Sequence, residues 1–416
     1  MRIVKLTPRT EKWLLARRAQ RDDEAYSAAT TIVTDVRKRG DSALFAWTKK
    51  LDDLDLAHAG VWISEKEIRA AKAQVSSEFL EAIQRAAKNV RRVAEKQLPR
   101  PWTIETEPGV KNSLRVSPIE SVGCYIPGGR FSLVSTLVMT AVPAKVAGVS
   151  RIIAVCPRPN PELLAAASVL GVEKIARVGG AQAIAALAYG TESIPRVEKI
   201  FGPGNKYVTA AKQLVSSDCA IDLPAGPTEA IVLAAKGNAR WIAADLLAQA
   251  EHAKDAASFF VTSSRSLAQE VQREIKWQLA QLPPGMASVS TETAGAILVA
   301  DSLEQACDFV NRFAPEHLSL PESVERLLKQ IRSAGTIFLG PWSAQPLGDY
   351  ATGSNHVLPT GGWARKRGGL SAADFVKCLS VQTISRNGFL RLAGTVETLA
   401  ESEGLMAHRN AVRVRR

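Results

Sequence analysis

Four short runs rich in Ile and Val, at 151–156 (RIIAVC), 173–178 (EKIARV), 197–201 (VEKIF) and 219–223 (CAIDL), recur about 22 to 24 residues apart. Each is strand length, and the segments between them, 161–170, 181–189 and 206–215, carry the apolar spacing of helices. Strand, helix, strand at that interval forces parallel pairing, because every crossover must return the chain to the same end of the sheet. Glycines stand at the strand ends, at Gly179-Gly180 and at Gly202 and Gly204. The pattern predicts a doubly wound α/β sheet whose ligands sit beyond the carboxyl ends of its strands.

A second stretch repeats the rhythm, with strands expected at 231–234, 258–262, 296–299 and 336–339. Its helices are expected at 239–251, 267–281, 303–313 and 324–332. The first hundred residues read as helix after helix. Gly40-Asp41-Ser42 stops one and caps the next, and Ser64-Glu65-Lys66-Glu67 is a capping box. From Ser77, apolar residues recur at helical spacing until Pro99 and Pro101 end the run. The last 45 residues read as helix, over 395–407, with a basic tail.

Several function classes are excluded early. The longest charge-free run, 333–348, has 16 residues and two prolines, too short for a bilayer span. The charged N-terminus offers no secretory signal, and the five cysteines stand at least 32 residues apart without a CxxC pair. A reduced, cytoplasmic protein is expected. The net charge of +12 is spread along the chain and aromatics are only 6%, so it predicts a solvated surface and no nucleic-acid groove.

Histidine is scarce, with five in the chain, so any imidazole chemistry must use His58, His252, His317, His356 or His408. His58, in a polar loop, is expected to be exposed. Gln249 and His252, three apart at a predicted helix end, share one face and can ligate one metal ion; equally, His252 can simply favour the negative end of the helix. Glu316-His317 can supply two proton-transfer groups to one cleft, or form a loop ion pair. Asp349 and His356 lie in the small, polar stretch LGDYATGSNHVLPTGG, expected to be a functional loop. Glu403 and His408 sit in a terminal segment, where side chains matter only if the tail docks. GPGNKY begins like a dinucleotide fingerprint but lacks its third glycine, while IPGG and VGGAQA are turns suited to anions at helix starts. Walker A, HExxH and GxSxG patterns are absent, so phosphoryl transfer and serine hydrolysis have no support.

Taken together, GCYIPGGR, VGGAQAIAALAYGT, GPGNKYV, DLPAGPTEA, LLAQAEH, NRFAPEHL, GDYATGSNHVLPTGG and EGLMAHRNAV resemble the histidinol dehydrogenase family, in its order and over nearly the whole chain. The resemblance implies an NAD-dependent zinc enzyme oxidising L-histidinol through L-histidinal to L-histidine. It implies zinc ligands Gln249, His252, Asp349 and His408, and an acid–base pair Glu316 and His317. Substrate contacts would be Thr228, Gln249, His252, His317, Asp349, Glu403 and His408, and cofactor contacts Tyr125, Gln182 and Asn205. It also implies a homodimer whose C-terminal segment enters the partner's site. The expected fold is two Rossmann-like doubly wound parallel-sheet domains with helical N- and C-terminal extensions. The expected division is a helical extension at 1–20, a first domain at 21–126 plus 229–370, a cofactor-side domain at 127–228, and a docking extension at 371–416.

Three departures stand out from the family pattern. Thr228 replaces the usual Ser and keeps its hydroxyl, FSLVST at 131–136 lacks an aromatic-proline pair, and Lys206 replaces an apolar residue. A donor set of two nitrogens and two oxygens leaves room for the substrate's amine and imidazole. It also admits manganese or cobalt. In that chemistry neutral His317 takes the alcohol proton, and Glu316 activates the water that hydrates the aldehyde. The alternative is a related dehydrogenase of another diol, such as a sulfonated propanediol. Glu403 argues against it, since a carboxylate repels a sulfonate.

Overall fold

Successive residues of the central strands bury on opposite faces, so each parallel sheet must be covered by helices on both sides. A computed structural model of the chain describes residues 1–18, 22–128, 132–223 and 226–416. The strands in chain order are β1 (Arg2–Lys5), β2 (Trp102–Glu107), β3 (Val110–Pro118), β4 (Ser121–Tyr125) and β5 (Arg151–Val155). Next come β6 (Lys174–Ala176), β7 (Lys199–Phe201), β8 (Ala220–Ile221), β9 (Glu229–Leu233) and β10 (Ala257–Thr262). The series ends with β11 (Ala296–Val299), β12 (His317–Leu320), β13 (Thr336–Leu339) and β14 (Val376–Ile384).

Among the described residues, two of the three sheets are wholly parallel. One has the order β6-β5-β4-β7-β8 and the other β1-β11-β10-β9-β12-β13. In the first sheet, Val122, Cys124, Ala154 and Ile175 bury on one face, while Ile153, Val155, Ala176 and Ile200 bury on the other. The second sheet divides the same way, with Ile231, Leu233, Phe259 and Val261 opposite Val232, Phe260 and Ile297. The predicted helices Pro161–Leu170, Lys206–Val215 and Leu303–Phe313 fall where the periodicity placed them. The Ser64 capping box forms as read.

The expected division of the chain changes in three places. Residues 1–20 are not a purely helical extension, because β1 pairs with β11 and Leu14 enters the core of the six-stranded sheet; residues 19–20 lie outside the described residues. Most of 21–126 packs on the five-stranded sheet rather than joining 229–370. Ile32 and Val36 of helix Asp23–Arg39 share a buried cluster with Ile153 and Ile184, and Ile83 and Val90 of helix Ser77–Gln97 share one with Val122 and Leu137. The reason is coverage: both faces of that sheet are apolar, and these amphipathic helices extend the cover its own crossovers begin. Residues 371–416 are not all helical either. Strand β14 pairs antiparallel with β3, from Val376 opposite Pro118 to Ile384 opposite Val110, and β2 completes a three-stranded sheet. Leu379, Val381 and Ile384 are all exposed, so the run lacks the buried face from which a strand is recognised. Helices Arg386–Ser402 and Met406–Arg413 follow and pack against each other.

Candidate active site

The residues gather at the amino ends of β9 and β12. Helix Leu303–Phe313 ends in Ala314, a left-handed residue at φ 51°, and the chain then turns through Pro315 and Glu316 into β12. His317 is the first residue of that strand, not part of a loop as its sequence context suggests. Both Glu316 and His317 are buried. Thr228, just before β9, donates its hydroxyl hydrogen to Glu316 Oε2, and the Glu229 N–H donates to the same oxygen at 2.9 Å.

His317 lies with Nδ1 3.6 Å from Glu316 Oε2 and Nε2 3.7 Å from Asp349 Oδ1. Those distances are too long for hydrogen bonds, and both ring nitrogens are buried without a partner among the described residues. The ring stacks on Phe338, with centroids 6.0 Å apart. Burial alone would lower the proton affinity of His317, but the Glu316 and Asp349 carboxylates outweigh it and raise the pKa above the ordinary value. Asp349 moves the other way. Burial pushes its carboxyl up, and the nearby imidazole of His317, with His356 and His252, holds it below the usual range.

Asp349 is on the short helix Gln345–Tyr350 rather than in an irregular loop. His356 holds that segment: its Nδ1 bonds the Asp349 carbonyl at 2.9 Å, while Nε2 lies 3.5 Å from Thr136 Oγ1. Gln249 is fully buried near the end of helix Ala239–Ala250, and its Nε2 donates to Thr228 Oγ1 at 2.6 Å. His252 does not share its helical face. The helix stops at Ala250, and His252 is exposed two residues beyond. Exposed His58 is as expected.

Sequence reasoning missed a group behind these residues. Arg18 forks onto both carboxylate oxygens of Glu229 and donates to the Ala314 carbonyl at 2.9 Å. Its guanidinium lies 4.0 Å over the Phe313 ring. Burial pushes the Glu229 carboxyl up to about 7 despite that partner. The pair pins both the left-handed residue before Glu316 and the strand whose N–H binds it. No local signal marks it, since 211 residues separate the partners.

The cofactor candidates form a second group at the carboxyl ends of β4, β6 and β7. The Tyr125 hydroxyl accepts the Gly180 N–H at 3.2 Å. Gln182 is fully buried; its Nε2 donates to Asp52 at 3.0 Å, while Oε1 has no partner among the described residues. Asn205 instead spends its oxygen as a helix cap, accepting from Tyr207 N and Val208 N at 3.1 Å each. Gly202, at φ 116°, passes so close to Tyr125 that an added Cβ would lie 2.1 Å from its carbonyl oxygen. Gly129, Arg130 and Phe131 of the expected anion turn and its departure lie outside the described residues.

Glu403 and His408 do not join the site within one chain. Both are exposed, Glu403 in the turn after helix Arg386–Ser402 and His408 on helix Met406–Arg413, and no hydrogen bond or ion pair links them to Asp349 or Gln249 among the described residues. Among the described residues, no three His, Cys, Asp or Glu side chains gather as a metal cluster.

The histidinol dehydrogenase family model matches residues 15–416. The chain belongs to the histidinol dehydrogenase family. It is 46% identical to histidinol dehydrogenase of Methanosarcina barkeri, over 97% of this chain and 94% of that one. To that of Geobacter sulfurreducens it is 45% identical, over 97% and 96% of the two chains. The crystal structure of histidinol dehydrogenase from Elizabethkingia anophelis superposes with a TM-score of 0.94 at 39% identity, covering 100% of this chain and 98% of the other. The mixed α/β architecture is that of the family.

Proposed function

We propose that the chain oxidises L-histidinol through L-histidinal to L-histidine, in the last steps of histidine biosynthesis, with two hydride transfers to NAD. Family membership makes it an NAD-dependent oxidoreductase and does not favour the sulfonated-diol alternative. The observation that carries the reading is the buried His317, with both ring nitrogens unpartnered, between the carboxylates of Glu316 and Asp349. A buried base with free nitrogens is poised to meet a substrate hydroxyl. His317 takes the alcohol proton. Glu316, its Oε2 fixed by two donors, takes a proton from the water that hydrates the aldehyde. Holding that aldehyde on the enzyme between the two oxidations would protect it from side reactions.

The cofactor supplies the hydride acceptor, and a divalent cation, zinc by preference, would orient the substrate's amine and imidazole. Gln249, His252 and Asp349 fit such an ion, being two oxygen donors and one exposed imidazole on adjoining segments. The set from one chain is one short, and His408 of a second copy would complete it. Exposed Leu399, Leu405 and Met406 around the C-terminal helices, and exposed Trp342, Leu347 and Tyr350 beside Asp349, are the apolar surfaces such a homodimer would cover. Glu403 would then reach the substrate from the partner, while Thr228 contacts it from within the chain. Tyr125, Gln182 and Asn205 line the cofactor side, where the unpartnered Gln182 oxygen awaits a donor. The reversal of strand order beside β4 and β9 supports two Rossmann-like halves. Five free cysteines suit the cytoplasm, and no helix among the described residues is long and apolar enough to cross a membrane.

The test is stoichiometry. Purified protein given L-histidinol and NAD is expected to form two NADH per substrate consumed, and a chelator to abolish this. One NADH with free aldehyde accumulating would overturn the two-step reading.

A further inference from the structure

Gln345 is almost fully buried, and its Nε2 donates to Gln249 Oε1. Gln249 Nε2 donates to Thr228 Oγ1, and Thr228 donates to Glu316 Oε2. Four side chains thus form one unbranched chain of hydrogen bonds ending on an acid–base residue. Its direction follows from the inventory of protons. A carboxylate only accepts, so the single Thr228 hydroxyl hydrogen must face Glu316. Thr228 Oγ1 must then accept, which turns the Gln249 amino group toward it and the Gln249 carbonyl oxygen toward Gln345. Only a donor at position 345 completes the series. Were the Gln249 amide reversed, Thr228 would give its hydrogen to Gln249 and leave two oxygens facing each other at Glu316.

Gln345 is itself held from the same helix. Asp245, one turn before Gln249, lies beside the backbone N–H of Gln345, which draws its carboxyl down against the rise that burial imposes. Helix Ala239–Ala250 therefore holds the first residue of helix Gln345–Tyr350 by its side chain through Gln249 and sets Asp245 beside its backbone. The first helix carries Gln249 and the second carries Asp349. We propose that Gln345 is a positioning residue: it orients the Gln249 carboxamide, locks the two helices that bear Gln249 and Asp349, and sets the polarity of the relay to Glu316. The inference rests on the metal and acid–base roles proposed above.

The test compares wild type with Gln345→Leu, which keeps bulk and removes the donor. Outer partners of metal ligands typically contribute about 10- to 100-fold to metal affinity or activity. Gln345→Leu is therefore expected to lose zinc to a competing chelator at least about 10-fold faster and to lower kcat by a similar factor, with KM for NAD unchanged. Asp245→Ala, combined with it in a double-mutant cycle, is expected to add little, because the two changes remove different contacts that hold one and the same junction between the two helices. Should Gln345→Leu fail to fold, Asp245→Ala alone carries the zinc-release measurement. A folded variant with wild-type zinc retention and kcat, or full additivity in the cycle, overturns the inference while leaving the proposed activity standing. A wild type that binds no zinc and makes no NADH overturns the proposed function and this inference with it.

Discussion

Lys212 and Asp222, both buried, hold the backbone of Gly202 between them. Lys212 Nζ donates to the Gly202 carbonyl at 2.9 Å, the Asp222 carboxylate accepts the Gly202 N–H at 2.8 Å, and the two charges pair directly. The clamp fixes the turn at the end of β7, where the chain passes against Tyr125. Removing one partner of a buried pair leaves the other charge uncompensated. Lys212→Met is therefore expected to cost about 3 to 5 kcal/mol in urea unfolding and to raise KM for NAD. A loss below about 1 kcal/mol would mean that Asp222 finds another cation or takes up a proton.

His317→Asn should impair both oxidation steps by orders of magnitude while leaving zinc content at the wild-type level. The side chain touches Asp349 only at 3.7 Å and is not among the proposed ligands. Metal analysis of the purified variant separates the outcomes. Zinc lost together with activity would assign His317 to the metal instead.

Asp245 gives a pH signature. Burial pushes its carboxyl up to about 6, against the Gln345 backbone N–H that partly offsets the shift. A carboxyl whose folded pKa exceeds its unfolded value binds its proton more tightly in the folded state, so its contribution to stability falls as pH rises from about 4 through about 6. Asp245→Asn keeps an acceptor and removes the ionisation. Relative to wild type, the variant should gain up to about 2 kcal/mol between pH 4 and 6 and no more above that. Thermal unfolding of both proteins across that range measures it, and parallel curves would contradict the assignment.

If the C-terminal segment completes a neighbouring site, mixing two inactive dimers should restore activity. His408→Ala supplies an intact Glu316 and Glu316→Gln supplies an intact His408, so one site of each heterodimer is whole. Recovery of a substantial fraction of wild-type turnover is expected. Verified heterodimers without activity would show that His408 serves its own chain or none.

Particular residues mark what the sequence could reveal of fold and site. Ile153 and Val155 announce β5 because their alternation and the flanking turns are local. Ser64 and Glu67 announce a helix start because both partners lie within one turn. β14 was hidden, since its nine residues are mostly exposed and show no apolar face. Gln345 was hidden because a single carboxamide among small residues has no periodic signature. The Glu316–His317 pair was visible as chemistry, yet its sequence context did not reveal that His317 opens a strand.

The sequence by itself determined the alternation of strands and helices, the turns at Gly179, Gly180 and Gly202, and the family resemblance, because these depend on neighbours a few residues apart. Tertiary structure alone decided that helices before β4 cover the five-stranded sheet, that Arg18 reaches Glu229, and that Gln249, Thr228 and Gln345 form one relay to Glu316. Each of those choices joins residues more than twenty positions apart. It is made by which apolar faces and buried polar groups can be satisfied together, a condition no local window contains.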